Sequence, residues 1–143
     1  MSQTDCLFCR IVDGEIPSHT VYEDESTLAF LDVNPLARGH TVVIPKRHYE
    51  RVGDLPAAVA SGMGRAVSTV ADAVEAGVDA PATTIAYNNG EAAGQEVPHV
   101  HAHVIPRFED DGAGPIHALF AGVDLDDDEL AAVAEGIVAE TET

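Results

Sequence analysis

The chain has 143 residues, 45% of them hydrophobic, which is enough to bury one substantial core and too few for two, so a single domain over 1–143 is expected. With 25 acidic against 7 basic residues, a net charge of -18 and Lys46 as the sole lysine, it repels nucleic-acid phosphates over most of its surface, which excludes general DNA or RNA binding. No run approaches the ~18 apolar residues that span a bilayer, and the N-terminal MSQTDCLFCR lacks the apolar centre of a signal peptide, so a cytoplasmic protein without membrane contact is expected.

In chain order, Cys6 to Val12 reads as a short helical turn, broken by Gly14 and Pro17 in "GEIPS". "HTVYEDES" and "TLAFLDV" read as two strands around an acidic turn, and the β-branched "GHTVVIPK" as a third, closed by Pro45. From Leu55 to Gly77, apolar residues recur at Val59, Met63, Val67, Val70 and Val74, the spacing of a long amphipathic central helix. "ATTIAY" is the fourth strand, the histidine-rich "VPHVHAHVIP" the fifth, and "DDDELAAVAEGIVAE" a C-terminal helix whose acidic first turn suits the helix dipole. The fold class is α+β, with a five-stranded antiparallel sheet. Asp124, Asp126, Asp128 and Glu135 imitate calcium-loop spacing, but Glu129 stands where such a loop needs glycine, so this run is a solvated helix start.

Three of the seven histidines, His99, His101 and His103, occupy alternate positions of the fifth strand. Alternation puts the imidazoles on one face and Val100, Ala102 and Val104 on the other, against a helix. A lone histidine there is more often a structural residue. Three in register cannot all bind one metal ion, because at ~3.3 Å per residue the outer pair lies roughly 13 Å apart at Cα. The pattern fits a nucleophile or base in the middle, with an orienting and a proton-handling neighbour. No GxSxG, Walker A loop or complete GxGxxG competes with it. Cys6 and Cys9 form a C-x2-C pair, which in a cytoplasmic chain favours metal or redox use over a stable disulfide.

"HVHAHVI", together with "GQEVPHVHAHVIPR", "NNGEAAGQ", "FLDVNPLARGHTVVIPKRH" and "CLFCRIVDGEIPS", resembles the histidine-triad (HIT) superfamily, Hint-like branch. The resemblance covers about residues 5–110 and leaves 111–143 as an acidic C-terminal extension with its helix. It implies a HIT-like fold, a homodimer that joins two sheets, and a site for a purine nucleotide. His101 is implied as the nucleophile that attacks the α-phosphorus and forms a nucleotidyl-histidine. His103 would hydrogen-bond the phosphate or leaving group, with His40 as a further histidine beside the phosphate. Attack needs a neutral imidazole while a cationic neighbour stabilises the transition state, so their pKa values are expected to be pushed apart.

By the same resemblance Asn88 lies on the phosphate side, Gly94 and Gln95 supply a tight turn there, and Asp32 accepts from the ribose hydroxyls. Leu7, Phe8, Ile11, Phe30 and Val33 would surround the base. Glu96 departs from the pattern, standing where many relatives place a serine or threonine donor, and a carboxylate does not donate. Similarity to zinc-containing members, including galactose-1-phosphate uridylyltransferases, adds His48 and His99 to Cys6 and Cys9 as a structural zinc site. The implied activities are hydrolysis of nucleoside phosphoramidates or related nucleotidyl conjugates, hydrolysis of dinucleoside polyphosphates, or nucleotide binding with little turnover.

An acidic shell with almost no lysine points to a salt-adapted protein, because ionic strength screens the self-repulsion that loosens the fold; the alternative is an ordinary acidic protein. Dialysis into low salt is therefore expected to abolish the native circular dichroism spectrum; an unchanged spectrum would remove the basis for salt adaptation.

Overall fold

A computed structural model describes residues 5–141 and divides into two compact units, one ending at Asp111 and the other beginning at Gly112. The first holds α1 (Leu7–Val12), β1 (Thr20–Glu23), β2 (Thr27–Leu31), β3 (Thr41–Pro45), α2 (Ala57–Val78), β4 (Ala82–Tyr87) and β5 (Ala102–Arg107). The sheet is antiparallel throughout in the order β1-β2-β3-β5-β4.

Both faces of the sheet are covered, which explains why β3 is buried at every position and reads as a continuous apolar run. On one face α2 packs Met63, Ala66, Val70 and Val74 against Ala29, Val43, Val100, Ala102 and Val104. The buried positions recur every three or four residues, and each large side chain so removed from water contributes roughly 1.5–3 kcal/mol. Val59 and Val67 are only half-buried. On the other face Leu28, Phe30, Val42 and Ile44 meet Cys6, Phe8 and Cys9 of the α1 region. The helix α1 is only six residues long, and the Cys6 thiol caps it by accepting from the Cys9 N–H at 3.3 Å.

The fifth strand starts later than the sequence pattern predicts. Ladder pairing to β3 and β4 begins at Ala102, so only His103 of the three triad histidines lies on a strand. Pro98 has no N–H to offer, and the Val100 N–H is taken by the Tyr49 carbonyl at 2.7 Å, which pulls residues 97–101 off the ladder. The alternation of faces persists nonetheless, since Val100, Ala102 and Val104 all enter the α2 core. Pro106 lies past the last β3 partner of β5, where an absent N–H costs no ladder bond on that side.

Two turns deliver site residues. Gly39 holds φ +100°, and a Cβ there would fall 2.8 Å from Val78 Cγ1, so only glycine lets the chain pass under α2 and enter β3 with His40. Gly94 closes the loop after β4 at φ +96°.

The second unit contains a 3-10 turn at Ile116–Leu119 and α3 (Asp127–Thr141). Asp126 Oδ1 accepts from the Glu129 N–H at 2.8 Å, and the Glu129 carboxylate accepts from the Asp126 N–H at 3.2 Å. This reciprocal cap accounts for the acidic run as a helix start. All described residues of the unit are exposed.

Candidate active site and metal centre

The side chains that sequence singles out gather into two adjacent groups joined by His99. His99 is fully buried; its Nε2–H donates to the Pro45 carbonyl at 2.8 Å, which leaves Nδ1 as a lone pair. That nitrogen lies 3.3 Å from Cys6 Sγ and 3.5 Å from Cys9 Sγ, and His48 Nδ1 lies 3.3 Å from Cys9 Sγ. A tetrahedral ion with Zn–S of ~2.3 Å and Zn–N of ~2.0 Å sets sulfur and nitrogen about 3.5 Å apart, so the four donors already stand near the edges of a zinc tetrahedron. The four ligand atoms all lie within 4.8 Å of one another, and these residues can hold a metal ion. Burial, reinforced by the neighbouring Cys6, pushes the Cys9 thiol up to about 12. Burial, with His48 and His101 nearby, pushes His99 down to about 4. A Cys9 thiol held protonated beside a neutral His99 is an arrangement that a divalent cation would resolve by converting sulfur to thiolate. His48 Nε2 is buried without a partner, so the outer hydrogen bond that His99 has is missing there.

The second group is a chain of imidazoles whose tautomers follow from their partners. His101 Nδ1 lies 2.7 Å from the His99 carbonyl, an acceptor only, so Nδ1 carries the proton and Nε2 the lone pair. The Leu36 N–H donates to His40 Nδ1 at 3.1 Å, so His40 carries its proton on Nε2 and donates it to His103 Nδ1 at 2.9 Å. His103 consequently presents an N–H at its own Nε2. The rings of His101 and His103 are 5.0 Å apart, and Phe8 packs edge-on against His101 at 5.0 Å. A lone pair and a hydrogen-bond donor thus stand side by side.

Asp32, His40 and His103 also come close enough together to hold a metal ion. That use would need lone pairs at both His40 Nε2 and His103 Nδ1 and would turn His40 Nδ1–H against the Leu36 N–H. The donor from Leu36 selects the hydrogen-bond relay instead. Burial lowers the pKa of His40 against the opposing pull of Asp32, and burial together with His101 and His40 pushes His103 down to about 4. The cationic neighbour expected from sequence is therefore not what the free site holds: His103 is a neutral donor.

The remaining predicted residues fall into distinct places. Asp32 Oδ1 accepts from the Asn34 N–H at 2.8 Å and Oδ2 lies 3.7 Å from His40 Nε2, so the carboxylate borders the relay while keeping acceptor capacity. His40 is only 2% exposed, with both ring nitrogens engaged, and meets the site through His103. Phe8 and Phe30 pack edge to face at 5.6 Å inside the second core, and Ile11 packs against it. Leu7 and Val33 are open to solvent, Val33 at 77%. Asn88 is exposed with an uncommitted amide. Gln95 is fully used: Oε1 accepts from the Gly90 N–H at 2.7 Å, and Nε2 donates to the Glu50 and Val97 carbonyls at 2.7 and 3.1 Å. It ties the loop together and has no side-chain donor left for a phosphate. Glu96 is exposed. A cavity of about 200 Å³ lies under α2, lined by Tyr22, Leu31, Val70 and Val78, on the sheet face opposite the histidines.

A HIT domain model matches residues 13–110. The chain belongs to the HIT family. A HIT-like protein of Methanocaldococcus jannaschii is 46% identical over 123 residues, 85% of this chain and 94% of that protein. An adenylylsulfatase of Arabidopsis thaliana is 41% identical over 109 residues, 76% of this chain but only 55% of the plant protein. A zinc-bound histidine-triad protein of Mycobacterium smegmatis has a crystal structure with TM-score 0.73 and 37% identity, covering 99% of this chain and 98% of that one. HIT proteins are nucleotide-binding hydrolases and transferases, so the histidine chain of this member lies in a family built for chemistry on nucleotides. No helix among the described residues is long and apolar enough to cross a membrane.

The relay carries a pH signature. His103 and His40 titrate below the ordinary 6.5 when folded, so between about 6.5 and about 4 the unfolded chain binds more protons. Their contribution to stability is complete above that window and disappears as pH falls through it. Thermal melts at fixed high salt should show Tm falling across this range more steeply for wild type than for His103→Asn; parallel declines would mean that His103 is not held neutral by folding.

Proposed function

We propose that this chain hydrolyses nucleotidyl conjugates at the α-phosphate through a nucleotidyl-His101 intermediate, releasing a nucleoside monophosphate. The observation that carries this is the 2.7 Å bond from His101 Nδ1 to the His99 carbonyl, which points an unprotonated Nε2 out of a buried ring beside the N–H of His103. In the first step Nε2 forms a bond to the α-phosphorus while the bond from phosphorus to the leaving group breaks and its electron pair departs with that group. In the second, water attacks phosphorus, the P–N bond breaks, and the pair returns to Nε2.

His103 donates a hydrogen bond to a phosphate oxygen or leaving atom. The negative charge of a bound phosphate raises its pKa, so with substrate in place it can take up the proton that an amine leaving group needs and that water later restores. A leaving group that departs as a stable anion needs no such proton. His40 fixes the tautomer of His103, and Asp32 takes the ribose hydroxyls with its free lone pairs. Asn88 faces the phosphate with its free amide, the turn at Gly94 and Gln95 shapes that side, and Leu7, Val33 and the edge of the Phe8–Phe30 core lie toward the base.

Phosphoramidates are the first substrate class; the Arabidopsis relative's name supports mixed anhydrides with sulfate as well. Cys6, Cys9, His48 and His99 would hold zinc as a structural ion, whose chemistry here is to fix the thiolates and thereby the His99 backbone. A homodimer acting in the cytoplasm of a salt-adapted cell completes the proposal.

Two measurements test it. Release of adenosine monophosphate from adenosine 5'-phosphoramidate at high salt should fall about a thousand-fold or more in His101→Ala, as for loss of a covalent nucleophile. Comparable rates in the two proteins would eliminate covalent histidine catalysis. Native mass spectrometry should find one zinc per chain, lost in Cys9→Ala together with a lower Tm; a metal-free wild type refolded with zinc would eliminate the metal centre.

A further inference from the structure

Cys6 and Cys9 are placed for a second chemistry besides metal binding. They are the chain's two cysteines, so each has the other as its one intramolecular disulfide partner. They stand across the first turn of α1, where the Arg10 N–H donates to the Cys6 carbonyl at 3.1 Å and the Cys9 N–H to the Cys6 thiol at 3.3 Å. One such turn sets the two Cα atoms about 5 Å apart, inside the range that a disulfide spans. Their sulfurs lie within 4.8 Å of one another, and side-chain rotation can close the remainder to the ~2.05 Å of an S–S bond. Cys9 keeps 7% exposure and Cys6 none, on a six-residue helix whose Leu7 and Arg10 are open to solvent.

The pair is also wired to the reactive strand. His99 Nδ1 lies 3.3 and 3.5 Å from the two sulfurs, and its lone pair is satisfied there by a thiol proton or by a metal ion. The Nε2–H of the same ring is held by the Pro45 carbonyl, and the His99 carbonyl holds His101 Nδ1–H at 2.7 Å. A disulfide sulfur carries neither a proton nor a negative charge, so closing the bond leaves a buried Nδ1 facing two sulfurs that offer it nothing. Residues 97–101 precede the ladder of β5, so no strand pairing resists a shift of the His99 backbone.

We propose that Cys6 and Cys9 are a redox-reversible modification site, closed to a disulfide by a small disulfide such as oxidised glutathione, and that closure releases His99 and disorients His101. Cys9, the more exposed sulfur, attacks the small disulfide, breaking its S–S bond and releasing one small thiol as a mixed disulfide forms. Cys6 then attacks the Cys9 sulfur and releases the second small thiol. The protein loses two electrons and two protons, and the small disulfide gains both. Thiolates that hold a metal ion cease to be ligands when they are oxidised, so disulfide and metal exclude one another. The disulfide itself depends neither on the metal nor on the hydrolase proposed above.

The test is to incubate the zinc-loaded wild type, folded at high salt, with oxidised glutathione. The mass of the chain should fall by two hydrogens, both thiols should stop reacting, and zinc should pass to a chromogenic chelator. Nitrogen NMR of labelled histidine should show the ring signals of His99 and His101 moving, and hydrolysis of adenosine 5'-phosphoramidate should slow about ten-fold or more. A small dithiol followed by zinc should restore every reading. Thiols that stay free while the protein is folded, lasting glutathione adducts, or two chains joined by a disulfide would overturn the modification site. A closed disulfide with the His99 and His101 signals unmoved would overturn its link to the reactive strand. If those signals move but neither redox state hydrolyses the phosphoramidate, the switch stands and the hydrolase falls.

Discussion

Everything in the first unit that bears on chemistry is arranged around the commitment of His99. Its ring is buried with both nitrogens engaged, one by the Pro45 carbonyl and the other by the thiols of Cys6 and Cys9, and its own carbonyl orients His101. A buried imidazole without partners would be costly, so the ring locks the N-terminal turn to the end of β3 and to the chain before β5. The His101 ring next to it is then oriented by a backbone atom rather than by a carboxylate, which spares a strongly acidic protein one more negative charge there.

Electrostatics sets the second constraint. A surface of net charge -18 opposes the approach of anions, while burial disfavours the charged forms of His40 and His103 in the interior. On the proposed mechanism a bound phosphate would raise the pKa of His103, so charge would appear there only when it is compensated. Such a site depends little on long-range attraction, which salt would screen in any case.

The sequence made some of this legible and hid the rest for definite reasons. "ATTIAY" is a strand to the residue because its composition and flanking turns agree, and α2 was visible in the spacing of Met63, Val70 and Val74. The late start of β5 was not, since it depends on where the Val100 N–H goes, and the Tyr49 carbonyl lies 51 residues earlier in the chain. The roles of His40 and Gln95 were hidden for the same reason: their partners are main-chain groups of Leu36, Gly90, Glu50 and Val97, which no side-chain pattern reports. The Cys2His2 grouping came from family resemblance, because a C-x2-C pair cannot by itself name partners 39 and 93 residues away.

The separation between Cys6 and His99 also fixes the order in which the molecule can be assembled. Joining residues 93 apart carries a loop-closure entropy of about 4 kcal/mol by the (3/2)RT ln n relation, and it cannot be met until nearly all of the first unit has left the ribosome. An emerging chain therefore exposes its two thiols before the imidazole that completes their grouping exists. The orientation of His101 is therefore among the last features of the first unit to form during synthesis.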